Sequence, residues 1–251
     1  MDDVELARLA ISVLDLTDLD PDTTDAAADA LCDRAVTAGV AAVCVWPRFV
    51  GLCADRLANT GVNVATVVNF PAGTDQPDAV AAVTAAAVAA DADEIDVVLP
   101  YKAWLAGDVD HATAVLGAVR TEAGPLTMKV IIETGELPDR AAIDRAAHFA
   151  IAAGADFVKT STGKTPVSAT PEAAEIVLEA IDVSGRPVGF KASGGIRTLA
   201  DARTYLELAD EIMGQGWATP TTFRFGASGL LDVLEAVDAG REPGSGARTD
   251  Y

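Results

Sequence analysis

Lysine is scarce in this chain of 251 residues: there are five, Lys102, Lys129, Lys159, Lys164 and Lys191, and none in the first hundred positions. Acidic residues number 38 against 18 basic ones, for a formal net charge of −20. A field of that sign repels polyanions at long range, which argues against nucleic acid and anionic membrane surfaces as partners. Cysteine is also rare. Cys32, Cys44 and Cys53 are odd in number and include no C-x-x-C pair, so neither a disulfide framework nor a thiolate zinc site is indicated, and a reducing cytoplasm fits. The two histidines, His111 and His148, sit in helical patterns without metal-ligand spacing, and no Gly-x-Gly-x-x-Gly follows a strand. No metal and no nicotinamide cofactor is therefore expected. The longest apolar stretch, around Ala79 to Ala90, is Ala-rich and too short to span a bilayer, and the acidic start Met1-Asp2-Asp3 is unlike a basic export signal.

What the chain does have is apolar residues, which make up half of it, supplied by Ala and Val more than by aromatics. That composition suits helices packed closely on a parallel sheet covered on both faces. β-rich runs occur at Ser12 to Thr17, Ala41 to Trp46, Val62 to Asn69, Glu94 to Leu99, Thr127 to Thr134, Asp156 to Ser161, Val188 to Ala192 and Phe223 to Ala227. Each is followed by an Ala- or Leu-rich amphipathic stretch. Eight β-α alternations in this length predict one (β/α)8 TIM barrel over residues 1–240, with a flexible polar tail over 241–251. Asp20-Pro21-Asp22 and Ala169-Thr170-Pro171-Glu172 read as helix starts, and Gly39, Gly61, Gly124 and Gly154 as the turns that precede strands. The acidic, Lys-poor surface suits a salt-rich cytoplasm, although a simple solubility bias would look the same.

Charge inside barrel strands is costly unless it is paired or used, by several kcal/mol on the order of magnitude typical of buried ions. Asp15, Asp96, Lys129, Glu133, Lys159 and Lys191 all fall there. Lys159 and Lys191 occupy consecutive strands, about 4.8 Å apart in a parallel sheet, so both can face one mouth. A lysine of ordinary pKa, about 10.4, is unprotonated only about 0.04% of the time at pH 7. A second ammonium nearby would depress it and free the nucleophile, and Asp96 could hold one lysine charged and move protons through water. The competing reading is a structural ion-pair network that fills the barrel, and for Lys129 and Glu133, on one face of the fifth strand, a structural pair is as good an account. After the seventh strand comes Ser193-Gly194-Gly195 and after the eighth Gly226-Ala227-Ser228-Gly229. These are the two positions where barrel enzymes commonly cradle phosphate, and Lys164 could add charge from the sixth loop.

At these residues the chain resembles the deoxyribose-phosphate aldolase family of class I, Schiff-base aldolases. The likeness is carried by Glu94-Ile95-Asp96-Val97-Val98-Leu99-Pro100, Lys129-Val130-Ile131-Ile132-Glu133-Thr134, the run from Gly154 to Gly163 containing Val158-Lys159-Thr160-Ser161-Thr162, and Lys191-Ala192-Ser193-Gly194-Gly195-Ile196-Arg197. The resemblance implies a Schiff base on Lys159, tuning by Lys191, proton relay through Asp96, and reversible cleavage of 2-deoxy-D-ribose 5-phosphate to D-glyceraldehyde 3-phosphate and acetaldehyde without metal or organic cofactor. It further implies substrate contacts at Asp15, Thr17, Cys44, Gly163, Lys164, Gly194, Gly195, Gly226 and Ser228, with a homodimer as a compatible assembly. Ser228 stands alone where related enzymes often carry a second serine, so backbone donors would have to hold the phosphate there. Tyr251 is implied as a proton relay on the model of bacterial relatives that end in tyrosine. The alternatives are another Schiff-base sugar-phosphate aldolase of transaldolase type, and a non-catalytic barrel that only binds sugar phosphates.

Overall fold

A computed structural model of the chain describes residues 1–241. The expected tail, from residue 242 on, and the implied relay at Tyr251 lie outside the described residues. Eight strands form the barrel: β1 (Leu14–Asp18), β2 (Ala42–Val45), β3 (Asn63–Val68), β4 (Glu94–Val98), β5 (Thr127–Ile131), β6 (Phe157–Lys159), β7 (Gly189–Ser193) and β8 (Phe223–Ala227). Each pairs in parallel with the next, and β1 with β8, so the sheet is closed in sequence order. Ten helices occur among the described residues: α1 (Asp3–Ser12), α2 (Asp25–Ala38), α3 (Val50–Leu57), α4 (Pro77–Ala89), α5 (Tyr101–Leu105), α6 (Val109–Ala123), α7 (Arg140–Ala152), α8 (Pro171–Ser184), α9 (Leu199–Met213) and α10 (Leu230–Asp238).

The strands alternate between two kinds of core. In β4, Ile95 and Val97 join the apolar layer under the helices, whereas Glu94 and Asp96 reach side chains of other strands across the interior. The helix layer receives Val43, Val45, Val130, Val158, Phe190 and Phe225, all fully buried, each contributing roughly 1.5–3 kcal/mol of apolar transfer. Ala-rich faces, such as Ala142, Ala146, Ala147 and Ala150 of α7, let helices lie close to this layer. Helix starts are capped as their sequences require. Thr170 accepts from the Ala173 amide with Pro171 in the first turn, and Thr198 with Asp201 forms a reciprocal capping box.

One local expectation fails, and one element comes unannounced. Asp20-Pro21-Asp22 does not start a helix; α2 begins at Asp25 under a Thr24 cap. The Asp20 carbonyl instead accepts from the Trp46 indole and the Pro21 carbonyl from Arg48, so contacts with the β2–α3 segment claim this turn. And α1, which precedes the first strand, has no counterpart in a β-first count. Its Asp2–Glu5 capping box fixes its start, and Arg8 pairs with Asp238 of α10 to dock it on the end of the barrel chain. No helix among the described residues is long and apolar enough to cross a membrane.

Candidate active site

The interior of the barrel is divided. On the β2–β3 side it is lined by small or apolar residues, Ala42, Cys44, Ala65 and Val67 with Leu19 above them. From β4 round to β1 it is charged. Asp15, Glu94, Asp96, Lys129, Lys159, Lys191 and Arg224 are all nearly or wholly inaccessible to solvent, and register explains how they meet: Asp96 lies beside Lys129, Lys159 beside Lys191, and Lys191 beside Arg224.

Asp96 is the hub. Its Oδ1 accepts from Lys129 Nζ at 2.7 Å, and its Oδ2 accepts from both Lys159 Nζ and Lys191 Nζ at 2.8 Å. Lys191 also donates to Asp15 Oδ2 at 2.5 Å. Arg224 spans Asp15 Oδ1 at 2.5 Å and Glu94 Oε1 at 2.8 Å, and Glu94 Oε2 pairs with Lys129 at 2.5 Å. Four cations thus share three carboxylates within this hydrogen-bonded cluster, so full ionisation would leave the cluster itself with one positive charge in excess, met only through space by the buried Glu133. Dropping one proton restores balance, which a low-dielectric interior strongly favours.

The proton that is disfavoured is the one on Lys159. Burial is the largest influence lowering its pKa; Asp96 opposes this and the Lys191 ammonium adds to it. The expected effect of Lys191 is present, but loss of hydration outweighs it. Burial pulls Lys191 the same way, yet Asp15 and Asp96 together hold it well above an ordinary lysine. Lys129 is likewise raised, by Asp96 and Glu94 against burial. Asp96 stays far below the usual carboxylate range although burial alone would raise it, because Lys129, Lys159 and Lys191 surround it. The arrangement therefore supplies one amine whose proton is held less tightly than an ordinary lysine's, one persistent ammonium and one persistent carboxylate within hydrogen-bond reach of one another, which is what imine formation and proton shuttling require.

The remaining sequence-derived positions divide into those the structure brings together and those it moves. Thr17 and Cys44 are paired in register beside the charged cluster, with the Thr17 hydroxyl donating to the Asp15 carbonyl and the Cys44 thiol pushed up by burial. The glycine turns also converge. A Cβ on Gly194 would stand 3.2 Å from Gly163 Cα, and the Gly194 amide donates to the Gly226 carbonyl at 3.4 Å. Gly195 and the partly buried Ser228 follow those turns, the latter leading into α10. Lys164 Nζ reaches the Leu19 carbonyl at 3.1 Å, closing the sixth loop over the first.

The proposed Lys129–Glu133 pair does not form. Strand β5 ends at Ile131, and Glu133 has a left-handed backbone, φ 54°, so the two-residue alternation that would align it with Lys129 is broken. Lys129 turns instead to Glu94 and Asp96. Glu94 and Arg224 were not singled out by the sequence reading, although the rule that found the others, charge inside a strand, applies to both. Among the described residues, no group of three or more His, Cys, Asp or Glu side chains is arranged to hold a metal ion.

A closed parallel barrel whose interior seats two lysines on one shared carboxylate, one of them with its pKa lowered by burial, has the makings of a barrel aldolase. Residues 9–234 match the family model described as DeoC/LacD family aldolase, and the chain belongs to that family. A curated deoxyribose-phosphate aldolase of Agrobacterium fabrum is 51% identical over 247 residues, covering 97% of this chain and 95% of that relative. Among solved structures, an apo protein from Toxoplasma gondii ME49 assigned as a deoxyribose-phosphate aldolase superposes with a TM-score of 0.87 at 26% identity, covering 95% of this chain and 98% of its own. A tetrameric deoxyribose phosphate aldolase from Aeropyrum pernix shares the fold, with a TM-score of 0.78 at 24% identity over 95% of this chain and 97% of its own.

Proposed function

We propose that this aldolase cleaves 2-deoxy-D-ribose 5-phosphate reversibly to D-glyceraldehyde 3-phosphate and acetaldehyde through a Schiff base on Lys159. The observation that carries the reading is that, of three buried lysines joined to Asp96, Lys159 alone reaches no second carboxylate among the described residues, so burial lowers its pKa while the other two are held up. Its neutral amine adds to the C1 aldehyde of the open-chain sugar, and loss of water gives the iminium. Removal of the C3 hydroxyl proton lets the C2–C3 bond break, its electron pair moving into the iminium to give an enamine while the phosphorylated triose leaves. Protonation of the enamine carbon and hydrolysis then release acetaldehyde and regenerate the amine. Asp96, with Lys191 held charged beside it, is placed to pass these protons through water.

The turns at Gly163, Gly194, Gly195, Gly226 and Ser228, with Lys164, form the phosphate end of the substrate site in this reading, and Asp15, Thr17 and Cys44 border its sugar. The activity fits a cytoplasmic role in deoxyribonucleotide breakdown. Borohydride reduction with acetaldehyde, followed by peptide mapping, tests it: a two-carbon adduct is expected on Lys159. An adduct formed only with ketose fragments would favour a transaldolase-type enzyme, and saturable phosphate-ester binding with no adduct would favour a non-catalytic barrel.

A further inference from the structure

Glu133 makes no ion pair or hydrogen bond with the charged cluster, yet it is a fully buried carboxylate on a backbone conformation that non-glycine residues rarely adopt. Such strain persists only where surrounding contacts hold it. The hydrogen bonds to its side chain all come from the sixth loop. Glu133 Oε2 accepts from Thr162 Oγ1 at 2.5 Å, both its oxygens accept from the Thr162 amide at 3.2 and 3.3 Å, and Oε1 accepts from Thr165 Oγ1 at 3.2 Å. Thr162 Oγ1 in turn accepts from the Lys164 amide at 3.1 Å. The carboxylate therefore braces, through one hydroxyl, the sharp turn at Gly163, φ 78°, that carries Lys164 across to the Leu19 carbonyl.

The same loop is gripped from both sides by backbone. A Cβ on Gly135, two residues beyond Glu133, would overlap the Val167 carbonyl, and one on Gly194 would stand 2.6 Å from Ser168 Oγ. The segment from Thr162 to Ser168 thus lies between the turns that follow β5 and β7 with no room for a side chain at either glycine, and Glu133 is the charged group that fastens it.

We propose that Glu133 is a positioning residue for the phosphate end of the substrate, holding the Thr162-Gly163-Lys164 turn in the shape that presents Lys164 and the neighbouring amides to a phosphomonoester. This rests on the aldolase reading above and deepens it. Glu133 makes no hydrogen bond or ion pair with the Asp96 cluster, and its through-space effect on Lys159 favours the ammonium, so its loss should weaken phosphate recognition without weakening imine chemistry.

The test compares 2-deoxyribose 5-phosphate with unphosphorylated 2-deoxyribose in the wild type, Glu133→Ala, Glu133→Gln and Thr162→Val. In Glu133→Ala the KM for the phosphorylated sugar should rise on the order of tenfold or more, the scale of one charge-assisted contact. The kcat/KM for the unphosphorylated sugar should stay within about twofold of the wild type, because it makes no phosphate contact. Glu133→Gln, which keeps one acceptor oxygen, should fall between. Thr162→Val removes the bracing hydroxyl while leaving Glu133 in place, and should reproduce the selective loss even if Glu133→Ala does not fold. Equal losses for both sugars, or no loss for either, would overturn the proposal. A wild type that neither turns over nor traps either sugar would instead sink the aldolase reading, and this inference with it.

Discussion

Replacing Lys191 with leucine removes one of the four cations that share Asp15, Glu94 and Asp96, and the consequence for Lys159 can be worked from distances. Both ammonium nitrogens lie 2.8 Å from the same Asp96 oxygen. They are therefore no farther apart than about 5.6 Å, and at an effective dielectric constant of about 20 two unit charges at that separation repel by about 3 kcal/mol, on the order of a hundredfold in an equilibrium constant. Loss of Lys191 also leaves Asp96 Oδ2 to Lys159 alone, which acts in the same direction. Three cations then face three carboxylates, and a protonated Lys159 no longer leaves an excess charge. At any pH on the acid limb the fraction of neutral Lys159 should fall about a hundredfold, and the limb should move to higher pH while an alkaline plateau remains. The assay is the initial rate of cyanoborohydride trapping with acetaldehyde as a function of pH, with thermal unfolding as a check that the barrel is intact. A variant whose trapping rate drops by one factor at every pH, with no displacement of the limb, would refute the electrostatic account.

Asp96→Asn should have the opposite effect on the amine. Lys159 loses its carboxylate partner and four cations are left on two carboxylates, so trapping should persist to lower pH while steady-state turnover falls roughly a hundredfold or more for want of the proton relay; parallel losses in both would contradict this. Gly189→Ala should drive a Cβ into the Phe157 ring, which already stacks near Arg224, and cost about 1–3 kcal/mol in urea unfolding. Unchanged stability would mean the ring can move aside. Tyr205 of α9 is only 5% exposed, and burial, with Asp201 adding to it, pushes its hydroxyl up to about 12. Because the folded value is raised above an unfolded value of about 10, its contribution is intact below that pH and is lost as pH rises toward the folded value, about 2 to 3 kcal/mol at the limit. Tyr205→Phe should therefore lose less stability than the wild type between pH 9 and 11.5 in denaturant titrations, and identical slopes would remove the assignment.

The barrel was legible because its strands are short apolar runs bounded by glycine turns, and all eight predicted runs contain the observed strands to within a residue or two. Charge inside those runs exposed Lys129, Lys159, Lys191, Asp15 and Asp96 for the same reason. What escaped depends on neighbours distant in sequence. Asp20-Pro21-Asp22 carries every local mark of a helix start, but Trp46 and Arg48, which bind its carbonyls, come from the segment after β2. Glu133 sits at the right spacing from Lys129 for a strand, and only the loop after β6 explains why the strand stops short and the carboxylate turns away. Arg224 was hidden between Phe223 and Phe225, two large apolar residues that make the segment read as plain core and that pack edge to face, centroids 4.8 Å apart.

In the proposed mechanism, the choice of Lys159 as the reactive amine follows from counting partners more than from any feature of the lysine itself. Arg224 bridges two carboxylates, Lys129 touches three, and Lys191 touches two. Lys159 has one among the described residues, and that one is shared. All three lysines are almost wholly removed from water, so each pays a similar desolvation cost for its charge, and the amine with the least compensation holds its proton least tightly. Its place at the carboxyl end of β6 accounts for the shortfall. The carboxylates come from β1 and β4, and Asp15 and Glu94 are already occupied by Lys191, Lys129 and Arg224, so nothing but the near oxygen of Asp96 remains within reach. On this reading a family member could keep its proposed nucleophile while exchanging many other residues, provided that the hydrogen-bonded cluster retains one cation more than it has carboxylates and that the poorest-partnered lysine faces the mouth.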